Sequence, residues 1–331
     1  MALAYLAFFL GAAVSLSTSW MLVTRLERVG ERFGLSEALL GVVAALAADA
    51  PEITSSISAI SQHQRVVGAG VVIGSNAFNL AALLGLGAVV SGFVALHRRV
   101  VVLGGFVAMW IAICCVLAST GLISPLLSLI LSSSVLVGYL ILLGLRHDVL
   151  AALPLPAKFT RWLASAVEEE EDELSEAIRP PRGRPVDAVV ALGALVVVVL
   201  ASVAMERGAI VLGHRFHVSD AVVGGVALAA VTSLPNAVAA LHLATKGRGA
   251  AAFSTALNSN NLNVVVGLLI PGAVVGLAST SFSGTFTAAT FLVLTGLVLV
   301  VAYVRRGLSR RIGWTIIALY LIFVLLLATL S

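Results

Sequence analysis

The sequence predicts an all-α polytopic membrane protein of about ten transmembrane helices, arranged as two inverted five-helix repeats. Three observations predict this fold: the composition, a series of long apolar segments and an internal repeat. Of the 331 residues, 60% are hydrophobic and 11% are charged, and the mean hydropathy is +1.09. Soluble domains carry about 25% charged residues. The composition therefore excludes an ordinary soluble protein, and we expect the lipid bilayer as a partner and no nucleic acid.

Apolar segments long enough to cross a hydrocarbon core of about 30 Å recur along the whole chain. The first has no basic residue before it and no clear cleavage site after it, so we expect a retained helix instead of a secretory signal. The fourth contains the adjacent Cys114 and Cys115, which we expect to pack as free thiols. The predicted spans lie near residues 2–24, 36–60, 66–92, 100–119, 122–145, 186–205, 218–244, 250–277, 285–304 and 312–330.

The basic residues fall almost entirely in alternate loops. Seventeen of the 20 Lys and Arg residues lie in one set of loops, and only Arg65, Arg207 and Arg215 lie in the other. Cytoplasmic loops are enriched in Lys and Arg. We therefore expect an integral protein of a plasma membrane, the inner membrane of a prokaryote, with both termini outside the cytoplasm.

One substantial loop divides the predicted spans into five and five. The expected domains are a first repeat at 1–145, a cytoplasmic linker at 146–185 and a second repeat at 186–331. Within the linker, residues 158–178 predict a surface helix anchored by Trp162 and ending in the acidic run 168–173. A calcium-sensing role for that run is the alternative, although it lacks the alternating ligands and turn glycine of a calcium loop.

The two halves share a sequence repeat. Residues 31–41 read ERFGLSEALLG and residues 214–224 read HRFHVSDAVVG. Each half has an odd number of spans, so the equivalent segments enter the membrane from opposite sides. Such inverted repeats are typical of secondary transporters, which bind substrate near the midplane between the repeats. With one residue added in the second copy, the aligned pairs are Pro51 with Pro235, Ser75 with Ser259, Asn76 with Asn260, and Asn79 with Asn263.

The second predicted span contains two carboxylates, Asp49 and Glu52, on either side of Pro51. They are the only acidic residues that the predicted boundaries place deep in a span. Charged groups at that depth are costly and are functional by default. No Lys or Arg lies at matching depth, so a bound cation or proton is the expected counter-charge. Proline also frees backbone carbonyls nearby, and hard cations prefer carboxylate, hydroxyl and carbonyl oxygen.

The equivalent stretch of the second half supplies oxygen without charge, from Thr232, Ser233 and Asn236. Four asparagines then occur within 258–263, and each buried amide needs hydrogen-bond partners. Two interpretations remain open for them. They line a cation site, or they hold the two halves together as polar residues do in other helix bundles.

These motifs resemble a known family. APEITSS followed by IGSNAFNLAALLGLG, and TSLPN followed by NSNNLNVVVGLLIPG, resemble the two alpha-repeats of the cation/calcium antiporter superfamily, which includes the sodium/calcium exchangers. The resemblance covers about 31–92 and 214–277. It implies a sodium/calcium exchanger-like fold and a secondary active antiporter that exchanges calcium, or a similar divalent cation, for sodium or protons by alternating access. It also implies cation ligands, which with Asp49 make up the predicted metal site: Asp49, Glu52, Ser75, Asn79, Thr232, Ser233, Asn236, Ser259 and Asn263.

The chain departs from the family pattern at two of these positions. A typical repeat reads GTSLPE, whereas the first copy reads AADAPE and has Asp49 where a serine is expected. The second copy has Asn236 where a glutamate is expected. The site still offers two carboxylates, enough to neutralise one divalent or two monovalent ions. The identity of the exchanged pair is therefore open, and His242 is a candidate proton relay or a helix cap.

Two other functions stay open. One is an exchanger of monovalent or other divalent cations on the same fold, and the other is a non-transporting membrane partner protein whose polar core is structural. The chain has no nucleophile elbow, phosphate loop or HExxH motif, so we do not expect an enzyme. We expect no cofactor besides the transported inorganic cations.

Overall fold

The computed structural model describes residues 1–145, 156–175, 181–245, 249–278 and 281–330, without the side chains of residues 37, 38, 170–175 and 250. A π-helical segment, Leu80–Leu86, directly follows Asn79. The helices of the first half are α1 Ala2–Phe33, α2 Glu37–Ala48, α3 Ala50–Ser61, α4 Arg65–Asn79, α5 Gly87–Ser91, α6 Arg98–Ser119 and α7 Pro125–Gly144.

The remaining described residues are also mainly helical. Two further π-helical segments are Val223–Leu228 and Asn263–Leu269. Two short strands, β1 (Phe93–Ala95) and β2 (Gly307–Ser309), pair antiparallel. The remaining helices are α8 Ala157–Ser175, α9 Pro185–Arg215, α10 Asp220–Val222, α11 Ala229–Thr232, α12 Leu234–Thr245, α13 Gly249–Leu262, α14 Ile270–Val275, α15 Phe282–Arg305 and α16 Arg310–Leu330.

The helices confirm the predicted membrane fold. Within the part of the chain that the structure describes, seven helices are long and apolar enough to cross a membrane. Two bent pairs raise that number to nine: Leu39–Ala48 with Ala50–Ser61, bent by 53°, and Asp220–Thr232 with Leu234–Thr245, bent by 46°. The remaining predicted span, the eighth at 250–277, corresponds to the continuous helix at 249–275, which is less apolar because four asparagines lie near its middle.

Two spans are longer than the sequence predicts. The first reaches Phe33 instead of residue 24, and the sixth reaches Arg215 instead of residue 205. Charged residues ended the predicted spans, but backbone hydrogen bonding continues past them. The extension places Glu206 inside α9 with no exposed surface. Glu206 is thus a buried acidic residue in addition to Asp49 and Glu52, near the end of α9.

The two long helices α1 and α9 lie against each other. Ser15 and Ser202 share a buried hydrogen bond of 2.7 Å between their hydroxyls. A Cβ atom built on Gly11 would lie 2.8 Å from the carbonyl oxygen of Ala201, so glycine is needed for this close approach. The first helices of the two halves thus form one packed pair.

The described loops that carry basic residues lie together at one end of the molecule, which we call the basic end. The β1–β2 pair joins the loop after α5 to the loop after α15. At the same end, Arg25 contacts Asp187 at 2.5 Å, between α1 and the start of α9. Arg99 contacts Glu169 at 2.6 Å and ties α8 to α6. These contacts agree with the assignment of alternate loops to one side.

The predicted linker helix is present as α8. Its apolar side is buried against the helical bundle through Leu163, Ala166 and Val167. Most of the acidic run, from Glu170 onward, lies outside the described side chains. Cys114 and Cys115 are free and buried in α6, which confirms their predicted packing role.

One glycine contact brings α4 against the second half. A Cβ atom on Gly74 would overlap the carbonyl oxygen of Gly225, in the π-helical segment Val223–Leu228. The backbones of the two halves therefore touch at this point. The contact fixes the position of the polar residues that directly follow Gly74 in α4.

Candidate cation site

Each bent pair carries a polar residue at its bend. Asp49 lies between α2 and α3, and Ser233 lies between α11 and α12. Pro51 and Pro235 follow two residues later. A proline has no backbone N–H and clashes with the carbonyl four residues back, so it interrupts the helix at this place. The sequence repeat thus produces two equivalent bends, one in each half.

The residues at the bends pair crosswise between the halves. Asn236 Nδ2 donates to Asp49 Oδ1 at 2.6 Å. Ser233 Oγ donates to Glu52 Oε1 at 2.9 Å. In the repeat alignment Asp49 corresponds to Ser233 and Glu52 to Asn236. Each bend residue therefore bonds to the residue that follows proline in the other half, and both carboxylates lie at the interface between the halves.

The helices after the bends complete the cluster. Ser259 Oγ, in α13, donates to Asp49 Oδ1 at 2.7 Å. Asn79 Nδ2, at the end of α4, donates to Ser259 Oγ at 3.2 Å and to Asn260 Oδ1 at 3.1 Å. Together with Asn263, which donates to Asn76 Oδ1, seven of the nine predicted ligands form bonds that cross from one half to the other: Asp49, Glu52, Asn79, Ser233, Asn236, Ser259 and Asn263.

Two asparagines hold the halves together through their backbones. Asn76 Nδ2 donates to the Asn260 carbonyl at 3.0 Å, and Asn260 Nδ2 donates to the Asn76 carbonyl at 3.2 Å. Asn263 Nδ2 donates to Asn76 Oδ1 at 3.4 Å. Asn76 and Asn260 occupy equivalent positions of the two repeats. Their contacts favour the interpretation that these two asparagines hold the halves together instead of lining a cation site.

Four buried oxygens of the cluster have no hydrogen-bond partner among the described residues: Asp49 Oδ2, Glu52 Oε2, Asn79 Oδ1 and Asn263 Oδ1. All four are acceptors, and both halves contribute. Leaving a buried polar atom unsatisfied costs about 1–3 kcal/mol, more for a charged group. A hard cation prefers such carboxylate and amide oxygens. The donor set therefore fits a cation.

The remaining predicted hydroxyls are buried but bond within their own helices. Ser75 Oγ donates to the Val72 carbonyl at 3.0 Å. Thr232 Oγ1 donates to the Leu228 carbonyl at 2.9 Å. These bonds use the hydroxyl protons and leave oxygen lone pairs as acceptors. Neither residue bonds to another of the predicted ligands in the described contacts.

The cluster is an all-oxygen site. Among the described residues neither carboxylate forms a salt bridge with Lys or Arg. The described ranges also contain no group of three or more His, Cys, Asp and Glu side chains that suits a metal ion. Carboxylate, hydroxyl and amide donors favour hard cations over the softer metals that prefer thiolate or imidazole.

Pro51 is expected to leave nearby backbone carbonyls free, but two of them accept a hydrogen bond from another helix. Ser19 Oγ, on α1, donates to the carbonyls of Ala47 at 3.1 Å and Ala48 at 3.4 Å. Ser19 was missed, because nothing in its local sequence indicates which carbonyls it meets. In α3, Ser56 Oγ contacts the carbonyls of Gly68 and Gly267 at 2.8 Å each.

A cavity of about 190 Å³ reaches the cluster from the basic end. It lies between α1, α2, α12 and α13, and its lining includes Glu27, Ala48, Asn236 and His242. Because Asn236 bonds directly to Asp49, the cavity ends beside one of the two carboxylates.

Two broken helices that place carboxylates, hydroxyls and amides at the centre of a membrane bundle define the fold of a secondary transporter, not an enzyme. The chain belongs to the sodium/calcium exchanger protein family, whose sequence model matches residues 3–146 and 187–329. This finding confirms the resemblance read from the two repeats.

Curated relatives agree with this family. The sodium/potassium/calcium exchanger Nckx30C of Drosophila melanogaster is 32% identical over 154 residues, which are 44% of this chain and 17% of the relative. Sodium/potassium/calcium exchanger 2 of Gallus gallus is 25% identical over 188 residues, 54% of this chain and 27% of the relative. The matches thus span about a quarter or less of these relatives.

Solved structures show the same fold. An H⁺/Ca²⁺ exchanger, CAX, superposes with a TM-score of 0.72 at 15% identity, over 99% of this chain and 86% of that one. The sodium-calcium exchanger NCX_Mj, soaked with zero Na⁺ and Ca²⁺, superposes with a TM-score of 0.59 at 21% identity, over 98% and 99%.

Proposed function

We propose that this protein is a secondary active cation antiporter that works by alternating access. One observation carries the proposal: two buried carboxylates at the interface of the halves each keep an oxygen without a partner among the described residues. Two asparagine oxygens beside them have no partner there either. A purely structural polar core would satisfy its own acceptors. A transported cation would satisfy these four and neutralise both carboxylates.

Calcium, or a similar divalent cation, is the proposed cargo, exchanged for sodium or protons. Two carboxylates balance one divalent ion, and the hydroxyl and amide oxygens around them suit a hard cation. The names of the relatives point the same way, since they are sodium/potassium/calcium exchangers and an H⁺/Ca²⁺ exchanger. Exchange of monovalent ions is the alternative, because the same two charges balance two of them.

All nine predicted ligands are retained in this proposal. Asp49 and Glu52 supply the charge, and Asn79 and Asn263 supply amide oxygens from equivalent positions of the two halves. Ser233, Asn236 and Ser259 orient the carboxylates by donating to them. Ser75 and Thr232 supply hydroxyl oxygens from the neighbouring turns.

The proposed arrangement in the membrane follows the charge distribution. The basic end faces the cytoplasm of a prokaryotic cell, so both termini and Arg65 lie outside. The repeats comprise 1–145 and 186–331, with a cytoplasmic linker at 146–185. The cavity beside Asn236 opens toward the basic end and supports a conformation in which the site is accessible from the cytoplasm.

The test is flux in vesicles that contain the purified protein. Gradients of sodium, potassium or protons are imposed, and uptake of calcium, magnesium and manganese is measured. We expect gradient-driven uptake of a divalent cation. Glu52→Gln and Asp49→Asn should each reduce this uptake by more than about tenfold. Loss of a group that only supports a metal ligand already costs a metal site about tenfold in affinity or activity.

The matched control is Glu31→Gln, which removes an exposed carboxylate from α1. It should leave the flux unchanged. Exchange of one monovalent cation against a gradient of another, without uptake of any divalent cation, would favour the monovalent exchanger. A protein without gradient-driven flux of any of these cations would instead be the non-transporting partner with a structural core.

A further inference from the structure

Glu206 is a buried acidic residue outside the cation site. It lies on α9, has no exposed surface, and accepts a hydrogen bond from Ser58 Oγ at 2.9 Å through Oε2. Gln62 Nε2 donates to Ser58 Oγ at 2.7 Å and approaches Glu206 Oε2 at 3.5 Å. These contacts tie α9 to the outer part of α3, between Glu52 and the end of the molecule opposite the basic end.

Glu27 occupies a comparable place on the other long helix. It lies near the basic end of α1 and lines the cavity that reaches Asn236, together with His242. His242 corresponds to Ser58 in the repeat alignment, because each lies seven residues after its aligned proline, Pro235 or Pro51. The first helix of each half therefore carries an acid near the bent helix of the other half. The two acids are not aligned, because Arg32 pairs with Arg215 and Glu206 therefore corresponds to Val23, one helical turn before Glu27.

The two ends differ in this structure. Near Glu206 the carboxylate contacts Ser58 and the helices are closed on each other. Near Glu27 a cavity separates the helices and leads to the site. In an inverted repeat, the opposite conformation exchanges the arrangements of the two ends.

We infer that Glu206 and Glu27 are latches of the two approaches to the cation site, one at each end of the molecule. Glu206 holds the end opposite the basic end closed by binding Ser58. Glu27 closes the basic end by binding His242 in the opposite conformation. The inference rests on the proposed alternating access, and it makes both acids positioning residues for the exchange.

A latch that is made in only one conformation biases the equilibrium toward that conformation. Removing the Glu206 bond should therefore favour access from the end opposite the basic end. Removing Glu27 should favour access from the basic end. A hydrogen bond to a charged group is strong enough to change the ratio of conformations about tenfold.

The test measures access to each approach with a membrane-impermeant thiol reagent. Ser55→Cys reports on α3, between Glu52 and Ser58, and Ala44→Cys reports on the cavity. Reagent is added from one side at a time, in vesicles without an ion gradient. The buried Cys114 and Cys115 give the background in the otherwise unmodified chain.

In the Glu206→Leu variant we expect labelling at position 55 to rise about tenfold and labelling at position 44 to fall. Ser58→Ala, a milder change, should act in the same direction and serves if Glu206→Leu folds poorly. Glu206→Gln should restore the parent pattern, since its amide oxygen still accepts from Ser58. Glu27→Leu and His242→Ala should have the opposite effect on both reporters. Glu31→Leu, on the exposed side of α1, should leave the labelling unchanged.

Increased labelling at both reporters in Glu206→Leu would indicate general loosening and overturn the inference. Unchanged labelling in both Glu206→Leu and Ser58→Ala would overturn it as well. The outcome is separate from that of the proposed function. Absence of cation flux in the parent protein refutes the antiporter, whereas normal flux with unaltered labelling refutes only the latches.

Discussion

The amide of Asn236 donates to the carboxylate of Asp49 at 2.6 Å, and these are the two predicted ligands that differ from the GTSLPE repeat pattern. The family pattern has a serine at position 49 and a glutamate at position 236. The other crosswise pair, Ser233 with Glu52, keeps a serine and a glutamate. The acid has therefore moved from one member of a contacting pair to the other, and the number of carboxylates in the site is preserved.

This pairing predicts that the two departures compensate each other. Asp49→Ser alone removes one of two negative charges and should abolish most divalent cation flux. Asn236→Glu alone places a second carboxylate against Asp49 and should alter ion preference. The double variant restores the family pattern, and we expect it to recover flux, with a coupling energy of about 1–3 kcal/mol between the positions.

Flux assays on the four proteins of this double-mutant cycle provide the measurement. Asn236→Gln is the control, because it has the length of glutamate without its charge. Additive effects of Asp49→Ser and Asn236→Glu would show that the contact between the two positions carries no functional coupling.

Cation binding should stabilise the protein through Glu52. A ligand at 100 times its dissociation constant stabilises the state that binds it by about 2.7 kcal/mol. Calcium should therefore raise the melting temperature of the detergent-solubilised protein in a concentration-dependent way, and Glu52→Gln should abolish most of that increase. Glu169→Gln removes a carboxylate at the basic end, and calcium should raise its melting temperature as much as it raises that of the parent protein.

The close approach of the halves should depend on Gly74. Its substitution by alanine puts a methyl group into the carbonyl of Gly225, and backbone cannot move aside as a side chain can. We expect Gly74→Ala to destabilise the fold by about 1–3 kcal/mol and to reduce flux. Gly138→Ala, where a Cβ meets nothing within 4 Å, should be neutral or slightly stabilising. Thermal unfolding of both variants checks this, and similar stabilities would contradict it.

Ser19 should support the bend at Asp49. Removing its hydroxyl leaves the carbonyls of Ala47 and Ala48 without that donor, at a cost of about 1 kcal/mol. We expect Ser19→Ala to lower the melting temperature and to weaken calcium binding, because the same bend positions Asp49. Ser17→Ala is the matched control on α1, since Ser17 is exposed and bonds only to its own helix. Equal effects of both changes would show that the bend does not depend on this contact.

Much of the site follows from the sequence. Repeat alignment brings the two proline-containing segments and the two asparagine segments into register, and the structure places all of them in the interior. The alignment did not separate Asn76 and Asn260, which bond to backbone, from Asn79 and Asn263, which keep free oxygens. That difference depends on which way each side chain points across the interface.

Helix ends were less predictable. The hydropathy of the sequence predicts that the first and sixth spans end before the charged residues Arg25 and Glu206, so Glu27 and Glu206 lie outside the predicted spans. In the structure both residues lie within long helices, and Glu206 is fully buried because Ser58 and Gln62 donate to its carboxylate. The partners lie about 150 residues away in sequence, where no local pattern connects them.

The sequence by itself determined that this chain lies in a membrane, that its halves are inverted copies and that two carboxylates must find a counter-charge. Apolar length, charge distribution and internal repetition are properties of the chain that hold before it folds. Only the tertiary structure decided the crosswise pairing of Asp49 with Asn236 and of Glu52 with Ser233. Those contacts depend on the packing of two halves against each other at the glycine contact of Gly74 with Gly225, and that geometry arises from the whole bundle.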